Sequence, residues 1–155
     1  MPKLDLDAIS QTNATGYPDP YDKPVAGRWY RRLAPATGLT TMGASHVVLK
    51  PGAWSSQRHW HAAEDELLVM LSGEAVLVED GGETVLRPGD VAAWPAGVRD
   101  GHHLQNRTEA DCIFVVVSSG DRDADHGEYP DIDMKFGPEG YAHKDGTPYP
   151  AKRIP

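Results

Sequence analysis

The chain has 155 residues, enough for one domain with a single buried core. Apolar residues make up 39% and charged residues 25%, which excludes a disordered or fibrous class. A formal net charge of −8 argues against nucleic-acid and anionic-lipid partners, both of which need clustered Lys and Arg.

Residues 1–24 carry four aspartates and no apolar centre of the secretory kind. No apolar run reaches the roughly 18–20 residues of a membrane span. A cytoplasmic protein is expected. Nine of the thirteen prolines fall outside residues 28–118 and divide the chain into three parts. An extended N-terminal arm covers 1–27, a strand-and-turn middle covers 28–118, and a C-terminal arm covers 119–155.

The middle opens with "RWYRRL", whose three arginines are read as a solvated edge strand rather than a site for an anion. "TTMGASHVVLK" stops at Pro51-Gly52. "ELLVMLSG" turns at Ser72-Gly73 into "EAVLVE", and Asp80–Gly82 is a hairpin signal. "ETVLR" ends at "PGD", "VAAW" ends at "PAG", and "DCIFVVVSS" closes the series. Short strands punctuated by Gly and Pro predict an all-β sandwich or barrel. No stretch sustains a helical period, so helix should be scarce. Cys112, the only cysteine, sits in an apolar run and is expected to be a core thiol. The C-terminal arm holds eight acidic residues and shows neither a helical nor a strand period. Its aromatics Tyr129, Phe136, Tyr141 and Tyr149 predict that it packs on the barrel or on a partner subunit.

Within "RHWHAAEDELLVMLSGE", strand alternation puts His59 and His61 on one face and Trp60 on the other. Glu66 follows five positions after His61. Of the adjacent His102 and His103, only one can face inward. Three imidazoles and a carboxylate suit Mn, Fe, Co, Ni, Cu or Zn without choosing among them.

Two motifs here resemble those of the cupins, a family of small β-barrels. The first is Gly52, His59, His61, Glu66 and Gly73, with one residue more between Gly52 and His59 than the common pattern. The second is Gly89, Pro95, Gly97, His102 and Asn106, with two extra residues between Gly97 and His102. The resemblance covers residues 40–118. It implies a double-stranded β-helix, or jelly-roll, barrel holding one divalent transition metal per subunit on His59, His61, Glu66 and His102. Strand parity sets His102, Leu104 and Asn106 on one face. The two-residue insertion keeps His103 as the alternative ligand.

Around this centre, Gln57 shares the inward parity of the histidines, and Trp94 is a candidate pocket wall. Arg99 is the best candidate cation for an anionic substrate, since Arg58 and Arg107 fall on outward parity. His46 is read as structural or superficial. Glu64 and Asp65 are read as a solvated turn. Three functions fit: a dioxygenase, an isomerase, epimerase or lyase using a Lewis-acid metal (a sugar-phosphate isomerase among them), and a non-catalytic binding or sensing module for a small ligand. The arms and the apolar strands predict a homodimer in which an arm crosses onto the partner or closes over its own barrel.

Overall fold

The computed structural model describes residues 3–152, and all but a fraction of the regular structure is strand. The strands are β1 (Arg28–Arg32), β2 (Gly43–Leu49), β3 (Glu64–Ser72), β4 (Ala75–Glu79), β5 (Gly82–Leu86), β6 (Val91–Trp94), β7 (His103–Gln105) and β8 (Cys112–Gly120). β9 (Gly127–Tyr129), β10 (Met134–Gly137) and β11 (Gly140–Ala142) follow. Among the described residues helix is confined to one 3₁₀ turn, Leu6–Ala8, and one short α-helix, Leu33–Thr37, which stops at Gly38 in the left-handed conformation. Among the described residues no helix is long and apolar enough to cross a membrane.

Two antiparallel sheets form the jelly roll, one in the order β1-β2-β8-β3-β6 and the other β5-β4-β7. Alternation sends Val47 and Leu49 of β2, Leu68 and Met70 of β3, and Cys112 and Phe114 of β8 into the space between the sheets. There they meet Ala75, Leu77, Leu86 and Leu104 from the second sheet. Each Leu or Met buried this way contributes about 1.5–3 kcal/mol, which is the main source of stability. Gly73 makes the turn from β3 to β4 at φ +72°, and a Cβ there would stand 2.5 Å from the Asp111 carbonyl oxygen. Glycine is required at that position both by conformation and by space.

Strand β1 lies at the edge of the larger sheet, as "RWYRRL" suggests, but its arginines do not share one environment. The pairs Arg28↔Leu49, Tyr30↔Val47 and Arg32↔Ser45 fix the parity. Leu49 and Val47 are core residues, so Arg28, Tyr30 and Arg32 face inward and line the central cavity. Arg31 faces out, reaching the Ile9 carbonyl and Asp7. A solvated edge strand therefore describes only half of β1.

The segment after β8 is more regular than its sequence suggests. Strands β9, β10 and β11 form a separate three-stranded sheet, each strand too short to show a period. This sheet builds a second core with the N-terminal segment: Tyr17, Val25, Tyr129 and Met134 are buried together, with Tyr21, Trp54, Phe136, Tyr141 and Tyr149 packed around them. Both segments thus close over the same end of the same chain's barrel.

Candidate metal centre

The backbone brings the three histidines together through one isolated bridge. The His59 amide donates to the His102 carbonyl at 3.3 Å, and the His102 amide returns the bond to His59 at 2.9 Å. The segment carrying His59 and His61 is not a regular strand, but both histidines line the cavity while Trp60 between them does not, so alternation survives there. Glu66 enters from β3, where it pairs with Trp94 of β6 and Ser118 of β8. The His59 and His61 Nε2 atoms lie 3.1 Å apart, and Glu66 Oε2 lies 2.9 Å from His102 Nε2 and 3.7 Å from His61 Nε2. Ligand atoms of His59, His61 and Glu66 all fall within 4.8 Å of one another. His102 reaches the group through Glu66.

The opposite ring nitrogens determine which face of each imidazole is available. His59 Nδ1 donates to the Gln57 carbonyl at 2.9 Å, and His61 Nδ1 donates to Asp125 Oδ2 at 2.6 Å. Both acceptors can only accept, so both Nδ1 atoms carry the hydrogen, and wherever the ring is neutral its Nε2 presents a lone pair. Two lone pairs 3.1 Å apart repel unless a cation lies between or beside them. This is the chemistry of a metal site, and the residues fit a mononuclear ion with mixed nitrogen and oxygen donors.

Electrostatics point the same way. Burial, opposed by the Glu66 charge and reinforced by His61 and His102, lowers His59 to about 3, so it is a neutral donor at neutral pH. Burial alone would raise Glu66, but the His102 hydrogen bond and the nearby histidine charges outweigh it and hold the carboxyl at about 2. Glu66 is therefore an anion and His59 is uncharged, the protonation states a ligand set requires.

Asp125 is the functional partner that sequence reading missed. It is 8% exposed, and its second oxygen accepts from the Ala63 amide at 2.9 Å. It stands 64 positions from His61, so no local spacing reveals it. Glu64, read as part of a solvated turn, is instead buried and paired with Arg122 at 2.9 Å. Together with His61 and Asp125, Glu64 forms a second acidic group, but the Arg122 guanidinium already meets its charge.

A cavity of about 580 Å³ opens on the centre, bordered by the barrel interior below and by Tyr17, Tyr129, Phe136 and Tyr141 of the second core above. Trp94 is one wall, stacked on His102 at 3.9 Å with an interplanar angle of 3° and tethered through Nε1 to Glu79. Gln57 is not among the lining residues; its side chain is buried and donates to the Tyr21 carbonyl. The chain bends through residues 55–58, so parity counted back from His59 does not hold there. Arg99 also lies off the cavity, its guanidinium 5.1 Å above the Trp60 ring. Arg58 and Arg107 face outward, to Asp80 and Asp131 and to Glu83 respectively. His103 borders the cavity, but both its ring nitrogens are engaged, by the Ser56 carbonyl at 2.9 Å and the Gln105 amide at 3.0 Å. His46 points to the outer face of the larger sheet, where it lies opposite Val115.

Comparison with known proteins places this geometry among relatives. A family model described as the cupin domain matches residues 45–118. A crystal structure of a Silicibacter pomeroyi protein, described as a sugar phosphate isomerase from the cupin superfamily, is 42% identical. The match covers 99% of this chain and 100% of that one, with a TM-score of 0.88. The cupin domain of an XRE family transcriptional regulator from Enterobacter cloacae is 26% identical over 62% of this chain and 99% of that one, with a TM-score of 0.51. A curated Arthroderma benhamiae protein named "Probable oxalate decarboxylase" is 34% identical over 89 residues, or 55% of this chain. The matched region spans only 22% of that relative's length.

Proposed function

The chain belongs to the cupin superfamily, and from that premise we propose that it is a mononuclear metal enzyme of the isomerase type, acting on a small polar substrate inside the barrel. His59, His61, Glu66 and His102 hold the ion. The observation that carries this reading is the pair of His59 and His61 Nε2 atoms, 3.1 Å apart beside the ionised Glu66 at the floor of a large cavity. A divalent transition metal bound there supplies Lewis-acid polarisation of a carbonyl or hydroxyl oxygen.

The residues around the centre have separable roles. Asp125 and the Gln57 carbonyl orient His61 and His59 through their Nδ1 hydrogens. Trp94 holds His102 flat against its ring and forms an apolar wall for the substrate. Tyr129 and Phe136 lie 5.5 and 6.1 Å from the His59 ring and limit the access of water. The similarity to the Silicibacter protein over the whole chain supports isomerase chemistry over oxygen chemistry. A non-catalytic sensing module is the second reading, supported by the similarity to the regulator's cupin domain.

The proposed assembly is a homodimer formed through the outer face of the larger sheet, where Leu67, Leu71 and Val91 stand 40%, 49% and 58% exposed. The deciding experiment is metal analysis of protein purified without chelator, joined to assays of aldose–ketose interconversion and oxygen uptake on small sugar phosphates and acids. One divalent ion per chain with interconversion and no oxygen uptake is expected. Oxygen consumption would overturn the isomerase reading in favour of a dioxygenase. A bound small molecule without turnover would favour the sensing module.

A further inference from the structure

The inward face of β1 places two guanidinium groups in the cavity that holds the histidines. Arg28 and Arg32 flank Tyr30, with their guanidinium carbons 5.0 and 6.0 Å from its ring centroid. The chain carries an excess of acid, and Arg31, Arg58, Arg87, Arg107 and Arg122 each have a carboxylate partner. Among the described residues neither Arg28 nor Arg32 forms an ion pair. Among the described residues Glu66 is the one carboxylate lining the cavity, and its charge is turned to the histidines.

Arg28 is held in place rather than loose. Its Nη1 donates to the Ser55 carbonyl at 3.0 Å, and the Tyr30 ring, itself tied through its hydroxyl to the Ala14 carbonyl, supports the guanidinium plane. Its Nε is buried and has no acceptor among the described residues. A fixed guanidinium fork matches the geometry of a phosphate or carboxylate.

We propose that Arg28 and Arg32 form an oxyanion-binding subsite, so that the substrate is a small hydroxylated molecule with a phosphate or carboxylate at one end. Its charged end rests on β1 and its uncharged end faces His59, His61 and Glu66. An aromatic wall joins the two regions, since Tyr129 lies 5.5 Å from the His59 ring and 5.7 Å from that of Tyr17, while Tyr17 stacks on Tyr141 at 5.4 Å. The position of the reacting end rests on the metal-enzyme reading. The anion subsite does not.

Calorimetric titration of the full chain with a six-carbon sugar phosphate, its neutral parent sugar and a hydroxy acid of similar length tests this assignment. Metal content is measured on each preparation. Binding of the sugar phosphate or the acid at least about tenfold tighter than the neutral sugar is expected, since each charge-assisted contact is worth that much. Whichever anion binds more tightly identifies the oxyanion. Arg28→Gln and Arg32→Gln together should abolish that preference and leave metal content unchanged. Arg32 is exposed, so Arg32→Gln alone keeps the test open if the double variant does not fold. A preference for the anion that survives Arg32→Gln and the double variant would overturn the proposal, as would equal affinity for the neutral sugar in the unmodified protein. Protein that holds no metal yet binds the anion through these arginines would refute the metal reading and uphold the subsite.

Discussion

Asp125, on the segment after β8, accepts the Nδ1 hydrogen of His61 across 2.6 Å. A carboxylate behind a ligating histidine fixes the ring and raises its basicity. Asp125→Ala should therefore lower metal affinity about 10–100-fold without removing a ligand. Competition with a chelator of known affinity measures the change, and unaltered affinity would remove Asp125 from the centre.

His59→Ala, His61→Ala and Glu66→Ala should each empty the site, because an incomplete donor set exposes the ion to water and chelator. His102→Ala should release metal as well, since its Nε2 is 2.9 Å from Glu66 Oε2. His103→Ala should leave occupancy intact, as both nitrogens of that ring are already engaged away from the centre. Metal retained in two of the first three variants would break the assignment.

The parts of the site that can be read in the sequence are those whose geometry is local. His59 and His61 are aimed together by alternation in an extended chain, and Glu66, of opposite parity, joins them because the chain bends at residues 62–63 into β3. The barrel strands are legible for the same reason, each bounded by a turn such as Gly73. Asp125 is not legible, because its contact depends on where the chain returns after β8. Gln57 fails because parity is lost where the backbone bends at 55–58. Arg28 and Arg32 sit at alternate positions around Tyr30, but only the pairing of β1 with β2 reveals which parity faces the core. β9–β11 are strands of three or four residues, shorter than any period can show.

Metal-free protein should stay folded at neutral pH, held by the apolar core, and lose stability on acidification. His59 sits at about 3 when folded and 6.5 in an unstructured chain, chiefly through burial. Between those values the unfolded state binds the extra proton, so this contribution is complete above about pH 6.5 and declines as pH falls toward 3. Glu66, at about 2 against 4.5, has the same sign and declines below about pH 4.5. The Tm of the metal-free protein should fall steadily from pH 7 to pH 4. A flat profile would show that the centre is not buried as described.

The outer face of the larger sheet should carry the dimer contact. Val69 pairs with Val91 on one side and Val115 on the other, and Leu67 pairs with Ala93 and Val117, giving a continuous apolar surface. His46 Nδ1 is buried on that face without a hydrogen-bond partner among the described residues. Val91→Asp should convert a dimer to a monomer by light scattering at micromolar concentration, because a carboxylate buried at an apolar contact is strongly unfavourable. An unmodified protein that is already monomeric would exclude this interface.

Met134 tests whether the second core acts as a cover for the site. It is fully buried among Tyr17, Val25 and Tyr129, yet it does not border the cavity. Met134→Ala should cost about 2–5 kcal/mol through lost packing and the space left behind. Because no ligand is touched, equilibrium metal content should be unchanged. The neighbouring Tyr129 and Tyr141 form the upper cavity wall, so loosening their support should speed removal of the ion by chelator. Deleting residues 1–20, which removes Tyr17, or residues 137–155, which removes Tyr141 and Tyr149, should have the same two effects more strongly. Unchanged Tm and unchanged release in all three variants would mean that the terminal segments neither stabilise the barrel nor shield its centre.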